Sequence, residues 1–195
     1  MDKTPPRQLI IEAVVACIEK YGIDNLTTRK IAEEAGTNIA SINYYFRSKD
    51  ELVTETLTTT INHMMEDVFI AVDDNEKPFE EVLKEVIFYL IDGATRFPGI
   101  STAHLYPAVV EKRYDSPGGK AMQRVFERLV ERAVKEYPES DAGRIRFQMA
   151  QVFSSILFSM LAPDFLPVPK KLRPLDPAHC RTLAEAYTRT FFKAL

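Results

Sequence analysis

Residues 27–52 combine the spacing of a helix–turn–helix with side chains that could contact DNA. Thr27 is placed to cap a short helix, and Gly36 follows its last apolar position, where a residue with positive φ commonly ends a helix. Asn38 can cap a second short helix. A helix, a tight turn that contains glycine and a second helix form a unit that can place its second helix in the major groove of DNA. The spacing therefore predicts contact with double-stranded DNA.

The second short helix carries the candidate base contacts. Ile39 and Ala40 could press on thymine methyl groups, while Ser41 and Asn43 could form hydrogen bonds with base edges. The alternative is that these side chains are plain helix surface. The residues that we expect to point outward are Asn38, Ile39, Ala40, Ser41, Asn43 and Tyr44.

Phosphate anchors are expected on both flanks of that helix. Thr28 and Arg29 open the preceding helix, whose first backbone N–H groups favour a phosphate. Lys49 opens the following helix, where its ammonium could clamp a phosphate, and the hydroxyl of Tyr44 or Tyr45 could do the same. Lys49 could otherwise be an ordinary solvated lysine.

Residues 7–52 resemble the DNA-binding domain of the TetR family of bacterial transcriptional repressors. Many members carry a phosphate-contacting tyrosine where this chain has Asn43, so either Asn43 or Tyr44 could take that role. The resemblance also allows Arg29 to reach a guanine. The matching residues are Arg7, Ala13, Tyr21, Gly22, Leu26, Thr27, Thr28, Ile31, Ala32, Ala35, Gly36, Tyr44, Tyr45, Phe46, Ser48, Lys49 and Leu52.

The resemblance implies a ligand-responsive regulator. It would be a homodimeric repressor that a small-molecule effector releases from the DNA, with the last two long helices forming a two-fold interface. A two-fold dimer reads two half-sites, so the operator is expected to be palindromic. A constitutive regulator, or an activator that lacks an effector, remains an open alternative.

Hydrophobic periodicity predicts an all-α fold of about nine helices. Residues 1–50 would form a three-helix DNA-binding domain, and residues 51–195 a helical ligand-binding and dimerisation domain. Asp, Pro and Gly clusters separate the later helices, and the proline-rich stretch 163–177 cannot be helical throughout. The expected later segments are helices over about 49–72, 78–97, 117–137, 140–162 and 177–194, with a shorter helix or an irregular segment over 100–113.

The larger domain contains candidates for an effector pocket and for a subunit interface. Residues 152–161 are apolar around most of the helix, which indicates either a fully buried helix or a face that a second subunit covers. The pocket candidates are His63, Phe88, Tyr89, His104, Tyr106, Met122, Phe126 and Phe153. The interface candidates are Val152, Ile156, Ser159, Met160, Leu183, Tyr187 and Phe191.

The charge distribution gives no independent support for nucleic-acid binding. The formal net charge is −3, and the first fifty residues hold seven basic and seven acidic side chains, so the basic surface expected of a DNA-binding protein is absent overall. Residues 51–96 hold eleven acidic side chains against three basic ones. These carboxylates could select a cationic effector, although such carboxylates are usually the solvated faces of helices.

Other functions have little support in the sequence. A helical-bundle enzyme is the alternative from another class, but motifs of hydrolases, metalloproteases and P-loop proteins are missing. We expect no cofactor and no metal, because the histidines and the two cysteines lack the spacing of metal ligands. We expect no membrane association, because no apolar run is long enough to cross a bilayer. The first residues, MDKTPPRQ, do not resemble an export signal, so we expect a cytoplasmic protein.

Overall fold

Helices make up most of the described part of the chain. The computed structural model describes residues 6–167, 169 and 176–195, and within these residues it contains no strand. This confirms the all-α prediction. The helices in this part of the chain are α1 Pro6–Tyr21, α2 Thr28–Glu34, α3 Ile39–Tyr45, α4 Lys49–Asp73, α5 Phe79–Arg96, α6 Pro98–Val109, α7 Pro117–Glu136, α8 Ala142–Leu161 and α9 Cys180–Ala194.

Side-chain caps start the three helices around the expected DNA contacts. Thr27 Oγ1 accepts the Lys30 N–H at 3.3 Å, and Asn38 Oδ1 accepts the Ser41 N–H at 2.8 Å. Ser48 Oγ accepts the Glu51 N–H at 3.0 Å. These bonds satisfy backbone donors that have no partner inside the helix, and the predicted caps at Thr27 and Asn38 are confirmed. Gly36 takes a φ of 61°, the left-handed conformation that the turn between α2 and α3 requires.

Helix α6 resolves the open assignment over 100–113. It begins at Pro98, directly after α5 ends, and continues through Pro107 to Val109. The next helix begins as predicted, because Ser116 Oγ accepts the Gly119 N–H at 3.2 Å and Pro117 occupies the first turn. The expected proline-rich stretch 163–177 lies partly outside the described residues.

Two hydrophobic cores organise the molecule. The first packs α1, α2 and α3 against the start of α4, and it also takes Ile100 and Ala103 from α6. The second surrounds α5 with α4, α7, α8 and α9. Helix α6 therefore has one face in the first core, while its Ser101 and His104 are buried on the side of the second.

Candidate nucleic-acid interface and effector cavity

Two buried side chains hold helix α3 against the first core. Ile42 and Phe46 are each 1% exposed, and their spacing of four residues places both on the same face of the helix. Ile39, Ala40 and Asn43 are exposed beside this buried face. The short helix thus presents an aliphatic, a small and an amide side chain to solvent, which suits contact with the major groove.

The remaining α3 candidates differ in exposure. Tyr44 is 82% exposed, whereas Tyr45 and Ser41 are half-buried. The rings of Tyr44 and Tyr45 meet edge to face, with 5.0 Å between their centroids. Asn38 is exposed, but its side-chain oxygen caps α3. Tyr44 is therefore the more accessible of the two candidate tyrosines.

Arg29 lies at the start of α2 with most of its side chain in solvent. Its Nε donates to Glu33 Oε1 at 3.0 Å, and both side chains are mostly exposed. An exposed ion pair of this kind contributes only about 0.5 kcal/mol, so a phosphate could displace Glu33 at little cost. Thr28, beside Arg29, is half-buried.

Lys49 has a structural contact that the sequence did not indicate. Its Nζ donates to the backbone oxygen of Leu26 at 3.2 Å, which ties the first turn of α4 to the segment before α2. An ammonium has three donors, so this bond leaves others for a phosphate. The contact holds the cation beside the start of α2, within the same surface as Arg29.

Arg7 fixes α1 against the end of α3. Its guanidinium donates to Glu55 Oε2 at 2.5 Å and lies over the Phe46 ring, 4.9 Å from the centroid. Sequence reasoning identified Arg7 only as a residue shared with a family. Its role depends on a pairing across 48 residues, and no local pattern could indicate that pairing.

Comparison with known proteins agrees with this geometry. A family model described as bacterial regulatory proteins, tetR family, matches residues 10–56, which include all of α2 and α3. This part of the chain is therefore of the TetR type. It is 50% identical over 46 residues to the HTH-type transcriptional dual regulator CecR of Shigella flexneri, and 30% identical over 76 residues to the HTH-type transcriptional regulator BetI of Brucella anthropi.

These two matches cover only part of each chain. They span 24% and 39% of this chain, and 20% and 39% of the two relatives. Likeness of fold extends further. The fatty acid degradation regulator FadR from Bacillus halodurans superposes with a TM-score of 0.69 at 14% identity, covering 98% of this chain and 96% of the other. The TetR-family regulator PfmR from Thermus thermophilus superposes with a TM-score of 0.67 at 15% identity, covering 94% and 97%. Both solved structures are of regulators, and at this identity the likeness shows a shared fold.

Three of the expected pocket residues meet in an internal cavity of about 30 Å³. Tyr89, His104 and Met122 line this cavity. We call it the inner cavity. The remaining lining residues are Ile61, Met64, Met65, Leu90, Ser101, Leu105, Gly118 and Met160.

His104 is neutral in this cavity. Burial lowers its pKa from 6.5 to about 4, because the imidazolium would lose its hydration there. Its Nε2 lies 3.1 Å from Thr60 Oγ1 on α4. The ring therefore links α6 to α4 through a hydrogen bond between uncharged groups.

Ser101 is a cavity residue that sequence reasoning missed. Its side chain lines the inner cavity at 4% exposure of the residue, and its hydroxyl has no hydrogen-bond partner in the described part of the protein. A buried polar group without a partner costs free energy unless something else supplies the bond. Ser101 follows Ile100 in a helix without clear periodicity, so no pattern in the sequence indicated this burial.

The other expected pocket residues lie elsewhere, so they do not form one site. His63 is exposed on α4 and lines a surface groove beside Met64. Phe88 packs under the Arg181 guanidinium. Tyr106 hydrogen-bonds Asp24 of the DNA-binding part, which raises the tyrosine pKa. The rings of Phe126 and Phe153 pack against each other in the second core, at 5.7 Å.

The expected subunit-interface residues are mostly buried within the protomer. Val152, Ile156, Leu183 and Phe191 belong to the second core. Met160 lines the inner cavity. Ser159 and Tyr187 are half-buried, and their side-chain oxygens lie 3.1 Å apart. A subunit interface through these residues stays a prediction.

A different face of α8 is open to solvent. Phe147 is 64% and Phe158 45% exposed, and Ser154 and Ser155 lie exposed between them. Helical spacing places these four positions on one side of α8. The apolar circumference of residues 152–161 thus divides between a buried face and an outward face with small side chains.

Metal ligands and membrane spans are both missing from the described part of the chain. Within 6–167, 169 and 176–195, no three His, Cys, Asp or Glu side chains gather as metal ligands would. None of the helices found there is both long and apolar enough to cross a membrane.

Proposed function

We propose that the protein is a homodimeric transcriptional repressor that binds a palindromic operator and leaves it when a small molecule binds. The observation that carries the DNA-binding part is the exposed face of α3. Ile42 and Phe46 fix the helix from beneath, so Ile39, Ala40 and Asn43 can meet base edges. The position of Arg29 and Lys49 beside this face supports their role as phosphate contacts.

The outward face of α8 supports the homodimer. Phe147 and Phe158 are large apolar side chains in solvent, and such exposed apolar surface commonly marks a protein interface. Ser154 and Ser155 between them would let a second helix approach closely. The same face on a second copy would give a two-fold symmetric contact, and hence two reading helices for two half-sites.

Helix α6 supports coupling between the cavity and the DNA-binding domain. Its Ser101 and His104 line the inner cavity, while its Ile100 and Ala103 lie in the first core. At its N-terminus, the Glu19 carboxylate of α1 accepts the N–H groups of Gly99 and Ile100 at 3.0 and 2.8 Å. A ligand that moves α6 would therefore also move α1, and an affinity change follows if the ligand binds the two arrangements differently.

The test begins with selection of DNA fragments by purified protein, followed by footprinting. A two-fold symmetric footprint is expected, whereas protection of a single half-site would contradict the homodimer. Titrations at several salt concentrations then compare the wild type with the double variant Arg29→Ala/Lys49→Ala. The logarithm of the DNA association constant falls with the logarithm of the salt concentration. Losing two phosphate contacts per protomer should make this slope less negative by about 1.8 per half-site.

A matched variant separates local contact from general charge. Lys120→Ala/Arg144→Ala removes the same two charges from exposed positions on α7 and α8, and it should leave the slope unchanged. Thermal unfolding of each variant checks the fold, since Lys49 also bonds Leu26. Wild-type affinity and slope in a folded Arg29/Lys49 variant would exclude the proposed DNA face.

A further inference from the structure

A surface groove lies next to the inner cavity. The groove has a volume of about 370 Å³ and runs between α1, α4 and the start of α6. We call it the interdomain groove. Met64 lines both the groove and the cavity. Thr60 lines the groove, and its hydroxyl is bonded to His104, which lines the cavity. The two spaces are separated only by side chains of α4 and α6.

The inner cavity offers hydrogen bonds but no charge. None of its lining residues is Asp, Glu, Lys or Arg, and burial keeps His104 neutral. The Ser101 hydroxyl, which is almost fully buried, lacks a partner among the described residues. A charged group placed in this cavity would lose its hydration without compensation, whereas a hydroxyl or a carbonyl could bond Ser101.

The interdomain groove offers mainly apolar surface. Ile11 and Val15 of α1 form one side, and Ile100 and Phe97 lie at the α6 end. Glu12 is the only carboxylate among its lining residues, and neither lysine nor arginine is among them. An alkyl chain could bury its methylene groups against these side chains, while an anion would find His63 but no lysine or arginine beside it.

We infer that the inner cavity and the interdomain groove are two ends of one site for a neutral, elongated, mostly apolar ligand, with its polar end at Ser101 and its tail against α1. This inference rests on the proposed function, since it names the chemical class of the effector. It also places the ligand tail in direct contact with a helix of the DNA-binding domain.

Occupation requires a change in the dividing wall. The inner cavity is large enough only for groups about the size of water, so Met64 must swing aside for a chain to pass. Methionine is unbranched and adapts its shape at low cost. Gly93 of α5 leaves room beside it, since a Cβ there would lie 3.5 Å from Met64 Cε.

The test is calorimetric titration of the full chain with 1-hexanol, 1-octanol and 1-decanol, and with decanoate and decyltrimethylammonium below their micelle concentrations. We expect affinity for the alcohols to rise about threefold to fourfold per methylene. Decanol should bind at least about tenfold more tightly than either ion, because the ions must lose hydration in an uncharged cavity.

Two kinds of variant probe the two ends. Ser101→Ala should weaken decanol binding about fivefold, the effect of one lost hydrogen bond. Thr102→Ala, at the neighbouring exposed position on α6, is its matched control. Val15→Trp fills the groove. In this variant hexanol should still bind, but decanol should bind no more tightly than hexanol. Thr59→Trp fills the groove from α4 and replaces Val15→Trp if that variant does not fold.

The outcomes separate this inference from the proposed function. Three outcomes would each overturn the inference alone. Either ion could bind as tightly as decanol or more tightly, or both folded tryptophan variants could keep the wild-type dependence on chain length. The third outcome is a protein that binds its operator but no alcohol. Failure to bind any selected DNA would overturn the proposed function. Operator release by decanol in the wild type, reduced in Ser101→Ala, would support both.

Discussion

The core beneath the reading helix and the core beside the inner cavity are built from different side chains. The first core consists of aliphatic residues and a phenylalanine, many of them β-branched, such as Ile10, Val14 and Ile31. Between residues 6 and 52, no polar side chain is buried. On the cavity side, Ser101, His104 and Gln148 are buried, and four methionines line the cavity.

This difference matters for how each part can respond. β-Branched side chains have few rotamers, so the first core favours one arrangement of α1, α2 and α3. Methionine has three flexible bonds, and a polar group without a partner is relieved by a ligand that supplies one. The packing of α1, α2 and α3 therefore favours one fixed arrangement, while the side chains around the inner cavity can rearrange. Helix α6 belongs to both.

The largest expected effect comes from forcing α6 away from the rigid core. A Cβ on Gly99 would lie 2.8 Å from Glu19 Cα and 2.9 Å from the Ile18 backbone oxygen. Since backbone atoms cannot move aside easily, Gly99→Ala should lower the free energy of unfolding by about 2–3 kcal/mol, as overpacking commonly does. Denaturant titration measures this, and DNA affinity should fall with it.

A second glycine on the cavity side provides the matched control. A Cβ on Gly93 would meet only Met64 Cε, at an ordinary contact distance of 3.5 Å. Gly93→Ala should therefore be neutral, or stabilising by up to about 1 kcal/mol through helix propensity. Equal destabilisation by both substitutions would show that the two sides of α6 do not differ in tolerance.

The next effect is a pH dependence that arises on the cavity side. Burial lowers the pKa of His104 to about 4, against 6.5 for an ordinary histidine. As pH falls, the unfolded chain takes up a proton at His104 before the folded chain does. The contribution of neutral His104 to the free energy of unfolding is therefore complete above about pH 6.5 and is lost between 6.5 and 4. Between about pH 7 and 5 the loss should be about 2 kcal/mol.

Two variants assign this pH dependence to its source. His104→Gln should remove most of the roughly 2 kcal/mol difference between denaturant titrations at about pH 7 and 5. His63→Gln, on the exposed part of α4, should retain it. If His104→Gln shows the same dependence as the wild type, the buried imidazole is not its cause.

The parts of the molecule that could be predicted from sequence are those determined by near neighbours. Thr27 and Asn38 cap helices through bonds to residues three positions ahead, so their types and spacing were sufficient. The exposure expected at Ile39, Ala40 and Asn43 is likewise a property of one short helix.

The parts that could not be predicted depend on distant pairings. The bond of Lys49 to Leu26 and the cap of Glu19 on α6 join residues 23 and about 80 positions apart. The packing of α8 depends on distant pairings in the same way. A run that is apolar on all sides does not indicate which of its faces the rest of the protomer covers, and here Val152 and Ile156 lie in the second core.

The smallest effect concerns the two buried hydroxyls nearest the boundary of the cores. Thr56 Oγ1 donates to the Leu52 backbone oxygen at 2.9 Å, whereas the Ser101 hydroxyl has no partner among the described residues. Removing a hydroxyl that has a partner loses its hydrogen bond. Removing a hydroxyl without a partner instead relieves the cost of burying it. Thr56→Val should therefore destabilise by about 1 kcal/mol, and Ser101→Ala should be neutral or stabilise by up to about 1 kcal/mol.

Denaturant titration of both variants, without ligand, measures this difference between the two hydroxyls. If Ser101→Ala destabilised as much as Thr56→Val, the Ser101 hydroxyl would already be bonded within the protein. A stable Ser101→Ala that binds neutral ligands less well would instead show that the cavity gives up folding stability for a group that only a ligand can satisfy.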